Sequence, residues 1–378
     1  MRKRRLWTVL VPVAAVVLGT PALASPAAGD GSQQVLHRVL ARQFARSPLA
    51  PGISARVDAP GLHWAGAMGL ADKEAATPLR ATDTFRIASV TKTFTAATVL
   101  CLVDQGRVRL DAPIASYLPA PYSQILRDGG YDPHAITVRH LLTHTSGLYD
   151  YGQDPAYQQA VLADPRHRWT PVEQVTWAMT HGQPVSPPGK EFHYSDTGYV
   201  LLARIVEAVT GHRQAVAYRH LLNYRRLGLT ATWFETLEPA PRSAPPRAHQ
   251  YYENPDAGLD IDTYGSDPSF DLYGGGGLIS STADLNRFYR ALLSGEIISS
   301  RSLSTMLDAD ASMGIFAETF HGMRCWEHEG FWGSLALYCP DRKLAVSVTL
   351  NVNAPEETMP SPLDDAVALA RAAMKLMR

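Results

Sequence analysis

Apolar residues recur along this chain with two different periods, and the changes of period mark out its elements. Leu36, Val39, Leu40 and Phe44 fall at helical spacing and predict an amphipathic helix over 34–46. Ile53 to Val57 and Leu62 to Met68 read as two strands, joined through Asp58-Ala59-Pro60-Gly61 as a hairpin. Phe85 to Ala88 reads as a short extended segment, and a long helix is predicted to start at Ser89. Its positions 94–103 are apolar nearly all round, which describes a helix buried inside a protein. Gly106 is placed to end it.

Beyond Gly106 the pattern breaks into short helical runs separated by Pro, Tyr and His. One helix is clear from Thr197 to Val209, with Tyr199, Leu202, Ile205 and Val209 on one face and Gly211 closing it. Residues 236–270 read as a long loop region rich in Pro, Gly and Asp. Gly274 to Gly277 then lead to a capping pattern, Ser281 with Asp284, and a helical face of Leu285, Phe288, Tyr289 and Leu292. Three strands are predicted near 320–329, 334–339 and 343–351. A terminal helix opens at Ser361-Pro362, with Leu363, Val367, Ala370, Met374 and Met377 along one face. Strands therefore lie toward both ends of the chain with helices between. That order predicts an α+β fold: an antiparallel sheet from 25–110 and 271–378, flanked by N- and C-terminal helices, with a mostly helical domain inserted at 111–270.

Composition is that of a globular protein, and 378 residues at a formal net charge of −1 give no electrostatic footprint for nucleic acid or an anionic surface. The first residues read as a signal peptide, residues 1–24. Arg2-Lys3-Arg4-Arg5 is basic, Leu6 to Gly19 is apolar but for Thr8 and Pro12, and Ala22-Leu23-Ala24 has the small-x-small form of a cleavage site. The mature chain is expected to be exported to the extracellular or cell-wall space, off the membrane once cleaved, and monomeric. Export permits disulfides. Cys325 and Cys339 flank a hairpin turn centred near Trp332 and are expected to pair, whereas Cys101, inside the apolar helix, reads as a buried inert thiol.

The candidate chemistry starts at the head of that helix. Ser89 and Lys92 are three apart and so share a face. A serine hydroxyl is a weak nucleophile until a base takes its proton. On an apolar helix, desolvation is expected to lower the lysine pKa and make Lys92 that base. No other serine in the chain has a lysine three residues on. A serine–lysine pair also needs a proton relay, a strand to hold the ligand and oxyanion donors. Tyr194-Ser195-Asp196 precedes the Thr197 helix, and His328-Glu329-Gly330 ends the first C-terminal strand. There His328 and Gly330 share one face, Glu329 takes the other, and Gly330 is expected to let a ligand backbone approach.

Ser89-x-x-Lys92, Tyr194-x-Asp196 and His328-x-Gly330, in that order, resemble the three-motif signature of the penicillin-recognising serine hydrolases. The subgroup most resembled holds class C β-lactamases, secreted D-alanyl-D-alanine carboxypeptidases, D-aminopeptidases and related esterases. His140 to Leu148, Gly274 to Leu285 and Phe331-Trp332-Gly333 are also similar, so the resemblance runs from about residue 35 to the end. It implies a β-lactamase/transpeptidase-like fold and a Ser89 acyl-enzyme. Lys92 would accept the serine proton and Tyr194 would act as general base and then acid. The Ser89 and Phe331 N–H groups would form the oxyanion hole. His328 would help bind a substrate carboxylate, with Asp196 and Gly330 also contacting substrate.

Two positions depart from that pattern. Asp196 stands where Asn is usual; an ionised Asp only accepts hydrogen bonds, whereas Asn also donates. It can alter amide recognition, pair with Lys92 or cap the following helix. Glu329 stands where Thr is common and adds negative charge that disfavours a carboxylate-bearing substrate. The leading expectation is D-alanyl-D-alanine carboxypeptidase-like hydrolysis of cell-wall peptides. The alternatives are an esterase or D-aminopeptidase, or a secreted pseudoenzyme that binds muropeptides or β-lactams. Substrates are thus D-Ala-D-Ala peptides, β-lactams or esters, with no nucleic acid partner and no cofactor. No metal is expected, since His140 and His144, though four apart, lack an obvious third ligand.

Overall fold

The computed structural model describes residues 31–308, 311–355 and 358–377; the signal-peptide reading lies outside the described residues. Seven strands form one antiparallel sheet, in the order Thr77–Pro78, Leu62–Asp72, Gly52–Ala59, Leu344–Thr349, Ser334–Cys339, Met323–Gly330, Phe316–Phe320. The sheet joins an early hairpin to a late meander, so residues far apart in sequence meet at the Gly52–Ala59 and Leu344–Thr349 pair. The first hairpin closes on Ala59 opposite Leu62 through Pro60 and Gly61, the latter at φ 72°. Proline's fixed φ followed by glycine's free positive φ suits that tight turn.

Strand alternation gives the sheet two buried faces. On one, Leu335, Leu337, Val346 and Val348 pack against Leu36 and Leu40 of the helix Gly31–Phe44 and Leu369 and Ala373 of the helix Pro362–Leu376. On the other, Trp326, Ala336, Tyr338 and Ala345 join the core built around the helix Thr91–Asp104. In that helix every residue from Thr91 to Leu102 is buried, as its unbroken apolar character requires. Phe94 stacks on Phe288 at 3.6 Å between ring centroids. Truncating so buried an aromatic ring costs about 3–5 kcal/mol. Among the described residues no helix is long and apolar enough to cross a membrane.

Three elements differ from the sequence reading. The central helix proper starts at Thr91, after a 3-10 turn over Ala88–Val90. The strand read near 320–329 is a hairpin of Phe316–Phe320 and Met323–Gly330, turning at His321 and Gly322. Both turn residues have positive φ, 51° and 71°, the conformation a two-residue hairpin favours. The region read as loop holds a small hairpin, Tyr251–Asn254 with Leu259–Asp262, against which Val352–Asn353 pairs in parallel. Cys325 and Cys339 lie opposite one another across the meander and are disulfide-linked, with Cα atoms 4.2 Å apart. Cys101 is buried as a free thiol.

Candidate active site

The residues before Ser89 are held from several sides. Phe85–Arg86 pairs with Leu278–Ser280, and the Ile87 N–H donates to the Leu278 carbonyl at 3.0 Å. Ala88 then adopts φ 43°, a left-handed conformation that costs a non-glycine residue about 1–3 kcal/mol. This sharp turn throws Ser89, half-buried, to the head of the helix. Ser334 Oγ donates to the Ile87 carbonyl at 3.0 Å. A Cβ on Gly330 would lie 2.3 Å from the same carbonyl oxygen. Glycine at 330 is therefore required by packing against the Ser89 turn, and the same residue lines the cleft.

Lys92 is wholly buried. Its Nζ donates to Ser89 Oγ at 2.9 Å and to the Gly275 carbonyl at 2.9 Å, and it forms an ion pair with Asp196. The Tyr194 ring centroid lies 4.8 Å from Lys92 Nζ, and both Lys92 and Ser89 act on its hydroxyl, pulling its pKa down against burial. Burial by itself pulls the lysine pKa down, as expected from the sequence. The Asp196 carboxylate, with Tyr194 and Asp271 adding to it, outweighs that pull, and the pKa is raised above the ordinary lysine value. The resting side chain is an ammonium, which overturns the reading of Lys92 as a desolvated free amine.

Asp196 opens the helix Asp196–Thr210 but does not cap it; Ser195 does, its Oγ accepting from the Gly198 N–H at 3.4 Å. The Asp196 N–H donates to Asp150 Oδ1 at 2.9 Å, and Asp150 also takes the Gly152 N–H at 3.1 Å. A Cβ on Gly152 would lie 2.6 Å from one Asp196 carboxylate oxygen, and a Cβ on Gly275 2.7 Å from the other. Glycine at both positions thus leaves the space that the Asp196 carboxylate occupies beside Lys92. Burial, then the Asp196 charge, pushes the carboxyls of Asp150 and Asp271 up to about 7. Sequence reasoning missed Asp150, Asp271, Gly152 and Gly275. Only the glycine run 274–277 carried a signal.

His144, within the stretch His140 to Leu148, also belongs to the site. It sits at φ 56°, stacks on Tyr194 with ring centroids 4.3 Å apart, and accepts the Ser195 N–H on Nδ1 at 3.0 Å. Burial and the nearby Lys92 hold it neutral, well below the ordinary histidine pKa. His140 points elsewhere: its Nδ1 accepts the Thr137 N–H at 3.2 Å and closes a capping box.

His328 is 3% exposed, with its ring centroid 6.3 Å from that of Tyr194. Its Nδ1 lies 2.6 Å from the Glu329 carbonyl and donates to it. Burial, then Lys92, pushes its pKa down to about 3. A neutral imidazole whose N–H is already used gives a substrate carboxylate neither charge nor donor, so the carboxylate-binding role expected of His328 is not what this geometry provides. Glu329 faces away and accepts the Leu363 N–H at 3.1 Å. The Phe331 carbonyl accepts from Asn353 Nδ2 at 2.6 Å, which fixes the peptide at the strand end.

These groups open on a cleft of about 1640 Å³. Its described lining includes the acids Asp196, Asp271, Glu327, Glu329 and Asp364 and one arginine, Arg46. Glu327 is buried, and burial followed by the charges of Glu329 and Glu318 pushes it up to about 8. Phe331, 46% exposed, and Tyr252 stack at 6.3 Å and line the same cleft.

A family sequence model described as beta-lactamase matches residues 40–370. Esterase EstB of Burkholderia gladioli is 36% identical over 177 residues, 46% of this chain and 44% of that protein. Penicillin-binding protein 4* of Bacillus subtilis is 29% identical over 247 residues, 62% of this chain and 50% of that protein. The match therefore spans about half of each of these relatives. A crystal structure of a D-stereospecific amidohydrolase from Streptomyces sp. superposes with a TM-score of 0.73 at 29% identity, covering 85% of this chain and 94% of that one.

Proposed function

This chain belongs to the beta-lactamase family of serine hydrolases, and from that premise we propose that it cleaves small esters or D-amino-acid amides through a Ser89 acyl-enzyme. Ser89 attacks the carbonyl, Tyr194 passes the proton to the leaving group, and the N–H groups of Ser89 and Phe331 stabilise the oxyanion. Each such donor is worth about 3 kcal/mol in the transition state. The observation that carries this reading over a D-alanyl-D-alanine carboxypeptidase is the neutral, buried His328 in an acid-rich cleft. A peptide ending in a carboxylate finds the cation at the nucleophile, Lys92, already paired with Asp196, and no charge on His328 to receive it.

Work outside the cytoplasm is part of the same reading. It is supported by the basic, apolar and small-residue order of residues 2–24 and by the Cys325–Cys339 link.

The test compares kcat/KM for a nitrophenyl ester, a D-amino-acid amide and a D-Ala-D-Ala peptide. The ester and the amide are expected to exceed the peptide by at least about tenfold, roughly 1.4 kcal/mol. A peptide turned over as fast as the ester would restore the carboxypeptidase reading. Covalent labelling by penicillin without turnover of any of the three would identify a pseudoenzyme.

A further inference from the structure

We propose that Lys73, outside the cleft, fixes the hairpin that walls it and so sets which acyl groups Ser89 accepts; this deepens the acyl-enzyme reading and rests on it. The hairpin is Tyr251–Asn254 with Leu259–Asp262, and alternation along its strands gives it two faces. Tyr252 and Ile261 are directly opposite each other, and both line the cleft. Tyr251, Glu253, Asp260 and Asp262 take the other face.

That other face is acidic, and its own charges work against the hairpin. Glu253 lies directly opposite Asp260. Like charges so placed destabilise the pairing of two strands. Lys73 answers both carboxylates at once: its Nζ is 2.7 Å from Glu253 Oε1 and 2.5 Å from Asp260 Oδ1. Its backbone N–H donates to the Tyr251 hydroxyl at 2.9 Å, and Nζ lies 4.4 Å from the centroid of that ring. Lys73 follows directly on the strand Leu62–Asp72, so the hairpin is tied to the seven-stranded sheet. His249 adds a second tie, with Nδ1 2.6 Å from Asp262 Oδ2. Lys73 itself is not among the described residues that line the cleft.

The cleft face of the hairpin is joined to the oxyanion end of the site. Asn353 pairs with Tyr252 through its backbone and donates from Nδ2 to the Phe331 carbonyl at 2.6 Å. The Tyr252 and Phe331 rings lie 11° from parallel with centroids 6.3 Å apart, a flat apolar wall beside the Phe331 N–H. The leaving group has to lie by Tyr194, which stands next to His144 and His328. The acyl group is the substituent left to meet the wall, and a planar aromatic acyl group suits it. A shift of the hairpin therefore changes the fit of a large acyl group and spares a small one. Lys73 acts only through the hairpin, as a positioning residue.

The test compares nitrophenyl acetate with nitrophenyl phenylacetate, which share a leaving group and differ in the acyl group. In Lys73→Met, kcat/KM for the phenylacetate should fall about fivefold, mostly through KM, while the acetate changes by less than about twofold. Lys73→Arg keeps a cation for both carboxylates and should behave as the parent. Glu253→Gln added to Lys73→Met should restore the phenylacetate, because the cross-strand repulsion is then gone. An equal loss on both esters, or no loss on either, overturns the proposal, and so does a double variant that stays impaired.

Tyr252→Ala probes the wall and leaves Lys73 and its carboxylates in place. The phenylacetate-to-acetate ratio should fall at least as far as in Lys73→Met, and an unchanged ratio overturns the placement of the acyl group. Absence of any Ser89 acylation in the unaltered protein would sink the hydrolase reading and the role of Lys73 with it, whereas normal acylation with an unchanged ester ratio in Lys73→Met sinks the role of Lys73 alone.

Discussion

Arg86 and Lys92 stand three residues either side of Ser89, both buried, both paired with carboxylates, and they are treated in opposite ways. Arg86 makes a two-pronged contact with Glu235, Nε to Oε2 at 2.7 Å and Nη2 to Oε1 at 3.2 Å, and also donates to the carbonyls of Thr263 and Ser266. Arg247 adds a second cation to the same glutamate at 3.0 Å. Around Lys92 the accounts stay open: Asp150 Oδ2, His144 Nε2 and His328 Nε2 are buried without a protein hydrogen-bond partner. Satisfied buried charge gives a rigid clamp, and under-satisfied charge leaves groups whose protons can move. One cluster fixes the turn that carries the nucleophile; the other is arranged for chemistry.

The largest expected effect comes from removing the reactive cation. Lys92→Ala should lower ester kcat by about 10³-fold or more, since Lys92 is the cation that contacts Ser89 Oγ and lies beside the Tyr194 ring that carries the proton onward. It should also lower the melting temperature, because Asp196 keeps a partly buried charge with no partner. Adding Asp196→Asn to that variant should recover the melting temperature and none of the activity. Recovery of activity would mean the two residues do not work as a pair.

Arg86→Met probes the other cluster. Glu235 loses its two-pronged partner, and unfolding in urea should show a loss of about 3–5 kcal/mol. Turnover per folded molecule should change far less than in Lys92→Ala. A variant of normal stability with kcat reduced as severely would erase the distinction between clamp and reactive pair.

The smallest effect is a pH dependence of stability. The folded state holds the Asp150 proton up to about pH 7, while an unfolded aspartate releases it near its ordinary value of 3.8. The unfolded state therefore ionises first, and this term lowers stability as pH rises from about 4 to about 7, then levels off. Asp150→Asn removes the titration and keeps an oxygen for the two N–H donors. Urea midpoints measured at both ends of that window should lie closer together in the variant. An unchanged gap would place the proton elsewhere in the cluster.

What was legible in the sequence followed from periodicity and from residue types that chemistry requires at fixed spacing. The all-apolar helix, the hairpin at Pro60-Gly61 and the pairing of Cys325 with Cys339 each rest on a local pattern, and the structure shows each of them. The charge state of Lys92 was not legible, because it depends on Asp196, Asp150 and Asp271, which approach from three separate segments. Desolvation could be read from one helix; the opposing carboxylates could not. The packing demand at Gly330 was hidden for the same reason, since the Ile87 carbonyl that excludes its Cβ comes from the other end of the chain. The edge strand Phe316–Phe320 escaped notice because its turn uses a histidine at positive φ, where glycine or asparagine is the usual signal.

The mechanism turns on Ser89 being the group that is acylated. The direct measurement is mass spectrometry of the intact protein and its peptides after reaction with a fluorophosphonate or a slow nitrophenyl ester. The prediction is one adduct per chain, on the peptide that carries Ser89, abolished by Ser89→Ala and strongly slowed by Lys92→Ala. An adduct on any other serine, or labelling of Ser89 that proceeds equally well without Lys92, would contradict it.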